Sequence, residues 1–176
     1  MLYALFATLG GLFLAADQWV KAWVVASFAA PSANLYVTSD PPREFLPGIM
    51  QLTRYHNYGA AWSSFAGMRW LLVLVTSAIV LTVLFFVVRG VVRHPLGLLA
   101  ATLVVSGGVG NIIDRVRWGY VVDMFDLTFM NYPVFNVADI CIVCGAFLGC
   151  AYYLWFYEKY DRKAGKTHGE ADAADN

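Results

Sequence analysis

The chain has 176 residues, of which 60% are hydrophobic and only 14% charged, and its 12 basic and 12 acidic side chains balance to a formal net charge of zero. That is more apolar character than a soluble domain of this length needs for its core, and the charge balance gives no sign of a polyanion such as nucleic acid as partner. Three cysteines, an odd number, argue against a disulfide framework.

The first apolar run, residues 2–28, is interrupted by Asp17 and Lys21. Within it LFLAAD resembles a leader cleavage site, but no positive residue precedes it and the apolar pattern resumes through AWVVASFAA, so the run reads as a retained span. Residues 29–69 carry the turn signals APSAN, SDPPRE and LPG and a β-prone stretch, IMQLTRYHNYGAAW, which together predict a small sheet or hairpin on the membrane surface. His56, in this segment, reads as a loop residue. The second run covers residues 70–88 and a short basic turn, RGVVRHP, leads to the third at 96–113. RWGYVVDMFDLTFMNYP follows, with room for a short interfacial helix, and the fourth run covers 134–157. Residues 161–176 read as a polar, disordered tail.

Each run approaches or exceeds the about 20 apolar residues of a bilayer-spanning helix. Backbone groups in lipid must be satisfied within the segment, so the runs are helices. The expected fold is therefore membrane α-helical, with four transmembrane helices, a small β-element after the first and an interfacial segment between the third and fourth. Cys141, Cys144 and Cys150 fall in the fourth run, where CIVC has no partner histidine or fourth ligand and reads as helix packing. Gly145 and Gly149 form a GxxxG pair on the same helix, a pattern of close helix contact.

Successive spans alternate direction, so the ends of spans one and three and the starts of two and four share one side. Asp17, Lys21, Asn57, Asn111, Asp114, Arg115, Asp123, Asn136 and Asp139 all lie on that side. Asp17 with Lys21, and Asn111 with Arg115, are four apart and share a helix face; Asn136 and Asp139 are three apart. Charges in a bilayer are expensive and face the bundle interior with partners. Pairing Asp17 with Lys21 and Asp114 with Arg115 leaves Asp123 and Asp139 without bases. Short basic flanks at Arg89 and Arg93, and at Lys159, Arg162, Lys163 and Lys166, mark the opposite side as cytoplasmic, by a slight margin.

Two carboxyls brought together do not both ionise cheaply; one keeps its proton and the other acts as a base. That arrangement activates water beside a proton donor, as in aspartic peptidases, with no metal or cofactor. The chain has no HExxH zinc helix and no GxSxG elbow. A small proton-coupled membrane carrier is the competing class, because carriers also use intramembrane acids.

DQWVK (17–21), HNYGAAWS (56–63), GGVGNIIDRVRWGYVVDMFD (107–126) and FNVAD (135–139) resemble, in order and spacing, the motif set of lipoprotein signal peptidase, also called signal peptidase II. The departures are Val20 where threonine is common, Trp62 where phenylalanine is usual, a short connection from Asp123 to Asp139, and the SDPPRE segment. The resemblance implies that Asp123 and Asp139 are the catalytic dyad. It implies that Asp17, Lys21, Asn57, Gly59, Asn111, Asp114, Arg115 and Asn136 support the site or hold substrate. It further implies one integral-membrane peptidase domain over residues 1–160, in the bacterial inner membrane, with both termini cytoplasmic and the site near the periplasmic face. The implied substrates are prolipoproteins cut before a diacylglyceryl-modified cysteine. The other implied partners are membrane phospholipid and the inhibitor globomycin, with the enzyme a monomer.

Overall fold

A computed structural model describes residues 1–32, 36–60 and 64–161. In chain order the elements are α1 (Leu2–Ser27), β1 (Arg43–Leu46), β2 (Met50–Asn57), α2 (Arg69–Val88), α3 (Pro95–Trp118), β3 (Val121–Leu127) and α4 (Val137–Tyr152). Beyond α4 the helix widens into π geometry over Tyr153–Asp161. The tail expected to be disordered lies, from residue 162 on, outside the described residues, as does Trp62. Asp161 itself belongs to the fold. Its carboxylate accepts the backbone N–H groups of Arg93 and His94, and also the Tyr152 hydroxyl.

Arg69–Val88, Pro95–Trp118 and Val137–Asp161 are each long and apolar enough to cross a membrane. α1 has 26 residues and carries its charges inward: Asp17 and Lys21 are 2% and 3% exposed, while Trp19 and Trp23 face out. Charged interior and apolar exterior invert the soluble pattern, as a lipid-facing surface requires. α3 is central and packs against α1, α2 and α4. His94 caps its start by accepting the Leu96 N–H on Nδ1, with Pro95 in the first turn. Gly119, at φ 86°, ends it in the left-handed region.

Ending α3 there releases VVDMFDL as β3, not as the interfacial helix that the segment had room for. β-branched and aromatic residues favour extension, and the open edge of β2 supplies the backbone hydrogen bonds. The sheet is antiparallel in the order β1-β2-β3. Pro47 and Gly48, the latter at φ 71°, turn β1 into β2 as the LPG signal predicts. Between the Leu52–Phe125 and Tyr55–Asp123 pairs the register shifts, leaving Thr53 and Arg54 as the bulge. Arg54 turns inward there and donates to Val25 O and Phe28 O, satisfying carbonyls at the end of α1. His56 belongs to β2 and not to a loop; it accepts from Arg54 Nε at 3.1 Å and stacks on Tyr120 with ring centres 3.8 Å apart. Val24 and Phe28 of α1 pack beneath Val122 and Met124, which seats the sheet on the bundle end.

All three cysteines are free; Cys141 is buried, whereas Cys144 and Cys150 are exposed, so only the first packs within the bundle. Of the GxxxG pair, Gly145 makes the close approach to α3, since a Cβ there would lie 2.9 Å from Ala100 O; at Gly149 the nearest contact is an ordinary 3.8 Å. Gly107 is tighter still, with a Cβ falling 2.3 Å from Ala138 O. Gly107→Ala should therefore lower the unfolding temperature in detergent, by the about 1–3 kcal/mol of a forced overpacking. Gly11→Ala, whose Cβ meets nothing within 4 Å, should not. Equal stability of the two variants would show that α3 and α4 do not touch at this level.

Candidate active site

One turn of α1 places Asp17 and Lys21 on the same face, turned towards α3. Lys21 Nζ lies 2.9 Å from Asp17 and 3.0 Å from Asp114, so the base of this cluster is shared by two acids. Asp114 pairs with Lys21, not with its chain neighbour Arg115. Gln18 closes the triad by donating to both acids at 3.1 Å. It belongs to the DQWVK motif but was not among the expected site residues, because a neutral amide between two stronger groups gives no charge signal. Gly110 makes room for the triad: a Cβ there would stand 2.6 Å from Asp17 Oδ2.

Each acid of the triad also accepts a backbone N–H next to one of the two candidate carboxyls. Asp114 Oδ2 accepts from Val122 N at 3.1 Å, the residue before Asp123. Asp17 Oδ1 accepts from Ala138 N at 2.9 Å, the residue before Asp139. Lys21 thus anchors both segments through two carboxylates.

Three asparagines complete the site. Asn136 starts α4 as the N-cap: its side chain accepts from Asp139 N at 2.9 Å, while its own N–H donates to Asp139 Oδ2 at 3.2 Å. This is a reciprocal capping box, so Asn136 stands before the helix and not on its face with Asp139. The same side chain donates to Asp123 Oδ1 at 2.6 Å, so one residue holds both carboxyls. Asn111 accepts from Lys21 at 3.2 Å and donates to Asp139 at 2.9 Å. Asn57 donates to Asp123 Oδ2 at 2.9 Å and accepts the Gly59 N–H at 2.9 Å. Arg115 holds the other side of that loop, donating to Gly59 O at 2.7 Å and to Asn111 O at 3.3 Å. Every candidate site residue read from the sequence falls within this one network.

Asp123 is fully buried, with no exposed surface, and joins neither of the ion pairs found among the described residues. Burial, then the charge of Asp139, pushes its carboxyl up to about 8, against the pull of the Asn57 and Asn136 hydrogen bonds. His56 is held down to about 4 by burial and by Arg54; its Nε2 accepts from Arg54 and its ring stacks on Tyr120.

Asp123 and Asp139 line a cavity of about 380 Å³ together with Asn57, Asn111 and Arg115. Its other end is apolar, between Leu72 of α2 and Ile142 and Val143 of α4. A larger cavity, about 560 Å³, opens between Tyr3, Phe6, Leu84 and Val105 at the opposite end of the bundle and is lined by no acid or base. Below the triad the next hydroxyl on the α1–α3 contact is Ser106, bonded to Gly10 O and Thr102 O. The charged network stops at one end of the helices. Among the described residues no three His, Cys, Asp or Glu side chains group as a metal site.

A family model described as signal peptidase (SPase) II matches residues 9–155. The chain is 38% identical over 134 residues to the lipoprotein signal peptidase of Streptococcus agalactiae serotype Ia, covering 76% of this chain and 81% of that protein. It is likewise 38% identical over 141 residues to the lipoprotein signal peptidase of Latilactobacillus sakei subsp. sakei, covering 80% and 87%. Among solved structures, a bacterial membrane enzyme determined in meso at 2.3 Å matches with TM-score 0.74 and 25% identity, over 86% of this chain and 88% of that one.

The shared lysine gives this site its test. Lys21→Met would leave Asp17 and Asp114 buried against each other without a cation, a loss of about 3–5 kcal/mol for a broken buried pair. A marked fall in unfolding temperature in detergent is expected. Wild-type stability of this variant would show that the triad does not hold α1 to α3.

Proposed function

The chain belongs to the signal peptidase II family, and on that premise we propose that it removes signal peptides from bacterial prolipoproteins as an aspartic endopeptidase, with Asp123 and Asp139 as its catalytic pair. Membership makes it a membrane-embedded peptidase that processes lipoproteins, in keeping with its apolar helices. The prolipoprotein substrate is carried over from relatives named lipoprotein signal peptidase. The observation behind the catalytic assignment is that Asn136 holds both carboxyls at the polar end of one cavity.

The chemistry follows from two carboxyls sharing one proton. The ionised carboxylate takes a proton from water as the oxygen attacks the peptide carbonyl carbon. Its protonated partner donates to the carbonyl oxygen, giving a neutral tetrahedral diol. Collapse of the diol breaks the C–N bond and sends a proton to the leaving amine, which restores the pair. The Arg115 guanidinium, held by the Gly59 and Asn111 carbonyls, offers its remaining donors to the substrate backbone. The apolar end of the cavity, open between α2 and α4, suits a hydrophobic signal segment and the diacylglyceryl-modified cysteine beyond it. Globomycin would compete for the same cavity. A proton-coupled carrier is not favoured, since a carrier needs a polar path to the far face and the buried charged network around Lys21 stops at one end.

In this reading residues 1–160 form one domain, a monomer in membrane phospholipid. All four helices, α1 included, cross the inner membrane, with the sheet on the periplasmic surface and both termini cytoplasmic. A reporter placed at Arg93 should then read cytoplasmic and one at Asp40 periplasmic; the reverse would put the site on the wrong face for a secreted precursor.

Asp123→Asn and Asp139→Asn preserve shape but remove proton transfer. Each should lower cleavage of a lipid-modified prolipoprotein by at least about a hundredfold, the lower range for a positioned acid or base. In the wild-type enzyme the rate should fall as pH rises through about 8, where Asp123 gives up its proton. It should fall again in acid as the base is protonated. A strong chelator should have no effect. Turnover in either Asn variant near the wild-type rate, or loss on chelation restored by a divalent cation, would overturn the assignment.

A further inference from the structure

A second cavity adjoins the first. It has a volume of about 440 Å³ and shares Asn57, Tyr132, Pro133 and Val134 with the cavity of the carboxyl pair. Its remaining wall is Tyr55, Asp126 and Asn131. The two cavities differ in what they present. The first ends between α2 and α4 against Leu72, Ile142 and Val143. Among the described residues the second is built from β2, β3 and the segment after β3, with none from a helix.

A peptide held across the carboxyl pair must leave on two sides. The apolar side matches the signal segment, so the polar side is left for the chain beyond the cut. Among the described residues that line it, Asp126 is the one charged side chain. It accepts from Gln51 Nε2 at 2.6 Å and joins neither of the ion pairs among the described residues. The lysine and arginine that serve the carboxyl pair, Lys21 and Arg115, do not line this cavity. A negative charge on the wall of a half-enclosed cavity attracts cationic side chains and repels anionic ones.

We propose that this second cavity receives the mature polypeptide just after the modified cysteine, and that Asp126 makes it select basic over acidic residues there. The proposal rests on the catalytic reading above, and its test is arranged to separate the two. Three lipid-modified prolipoprotein substrates, differing only by lysine, serine or aspartate at the two positions after the modified cysteine, are cleaved by the full-length enzyme in nanodiscs. The wild-type kcat/KM ratio of the lysine to the aspartate substrate should be about tenfold at low salt, and should shrink as ionic strength rises. Asp126→Asn should bring the ratio close to one, and Asp126→Lys should invert it. Asn131→Lys adds the opposite charge to the same wall without touching Asp126 and should also lower the ratio, which keeps the test open if Asp126 variants fail to fold. Cleavage of all three wild-type reactions at one rate, or a ratio unmoved by these variants, overturns the selection. No cleavage of any substrate by the wild-type enzyme overturns instead the catalytic reading on which it rests.

Discussion

Lys21, held between Asp17 and Asp114, is the contact on which the site's geometry depends. Two carboxylates and an ammonium in the interior of a bundle are costly to desolvate, and a buried ion pair is weak support for stability as such. Here it serves placement. Asp114 holds the backbone ahead of Asp123, and Asp17 holds the backbone ahead of Asp139. The Asp123 and Asp139 carboxyls come from a strand and a helix separated by a connecting segment. Their spacing is set by one lysine through two acids, with α1 as the reference for both.

The groups that touch Asp123 and Asp139 directly are amides. A cation in that position would keep a carboxylate ionised and destroy the proton-sharing pair. Asn57, Asn111 and Asn136 orient the carboxyl oxygens without neutralising them, while Lys21 acts one step away through Asn111. Burial can then hold a proton on Asp123 well into the neutral range. The division of labour is between charged groups that fix the scaffold and neutral groups that hold the Asp123 and Asp139 carboxyls.

Much of this was legible in the sequence because helix periodicity and span alternation are strong constraints. Apolar runs locate the helices to within a few residues, and alternating direction by itself brings Asp17, Asn111, Asp114 and Asp139 to one end. The pairing was less legible. Asp114 and Arg115 are neighbours in the chain, but a helix points them in different directions, and Asp114 meets Lys21 on another helix. β3 was hidden because its partner strand is far away in sequence and local pattern alone did not decide between strand and short helix. Asn136 as an N-cap was readable in principle, since N-x-x-D is a capping-box spacing, yet the continuous apolar run obscured where α4 begins. Arg54 as the cap of α1 depends on a bulge, which no local pattern announces.

Infrared spectroscopy of the protonated-carboxyl band, followed through a pH titration in nanodiscs, tests the proton-sharing pair most directly. The account predicts a band from Asp123 at neutral pH that disappears as pH rises through about 8. It also predicts that Asp139→Asn shifts this loss to lower pH, because the neighbouring negative charge is gone. Absence of any such band from Asp123 at neutral pH, or a midpoint unmoved by Asp139→Asn, would contradict it.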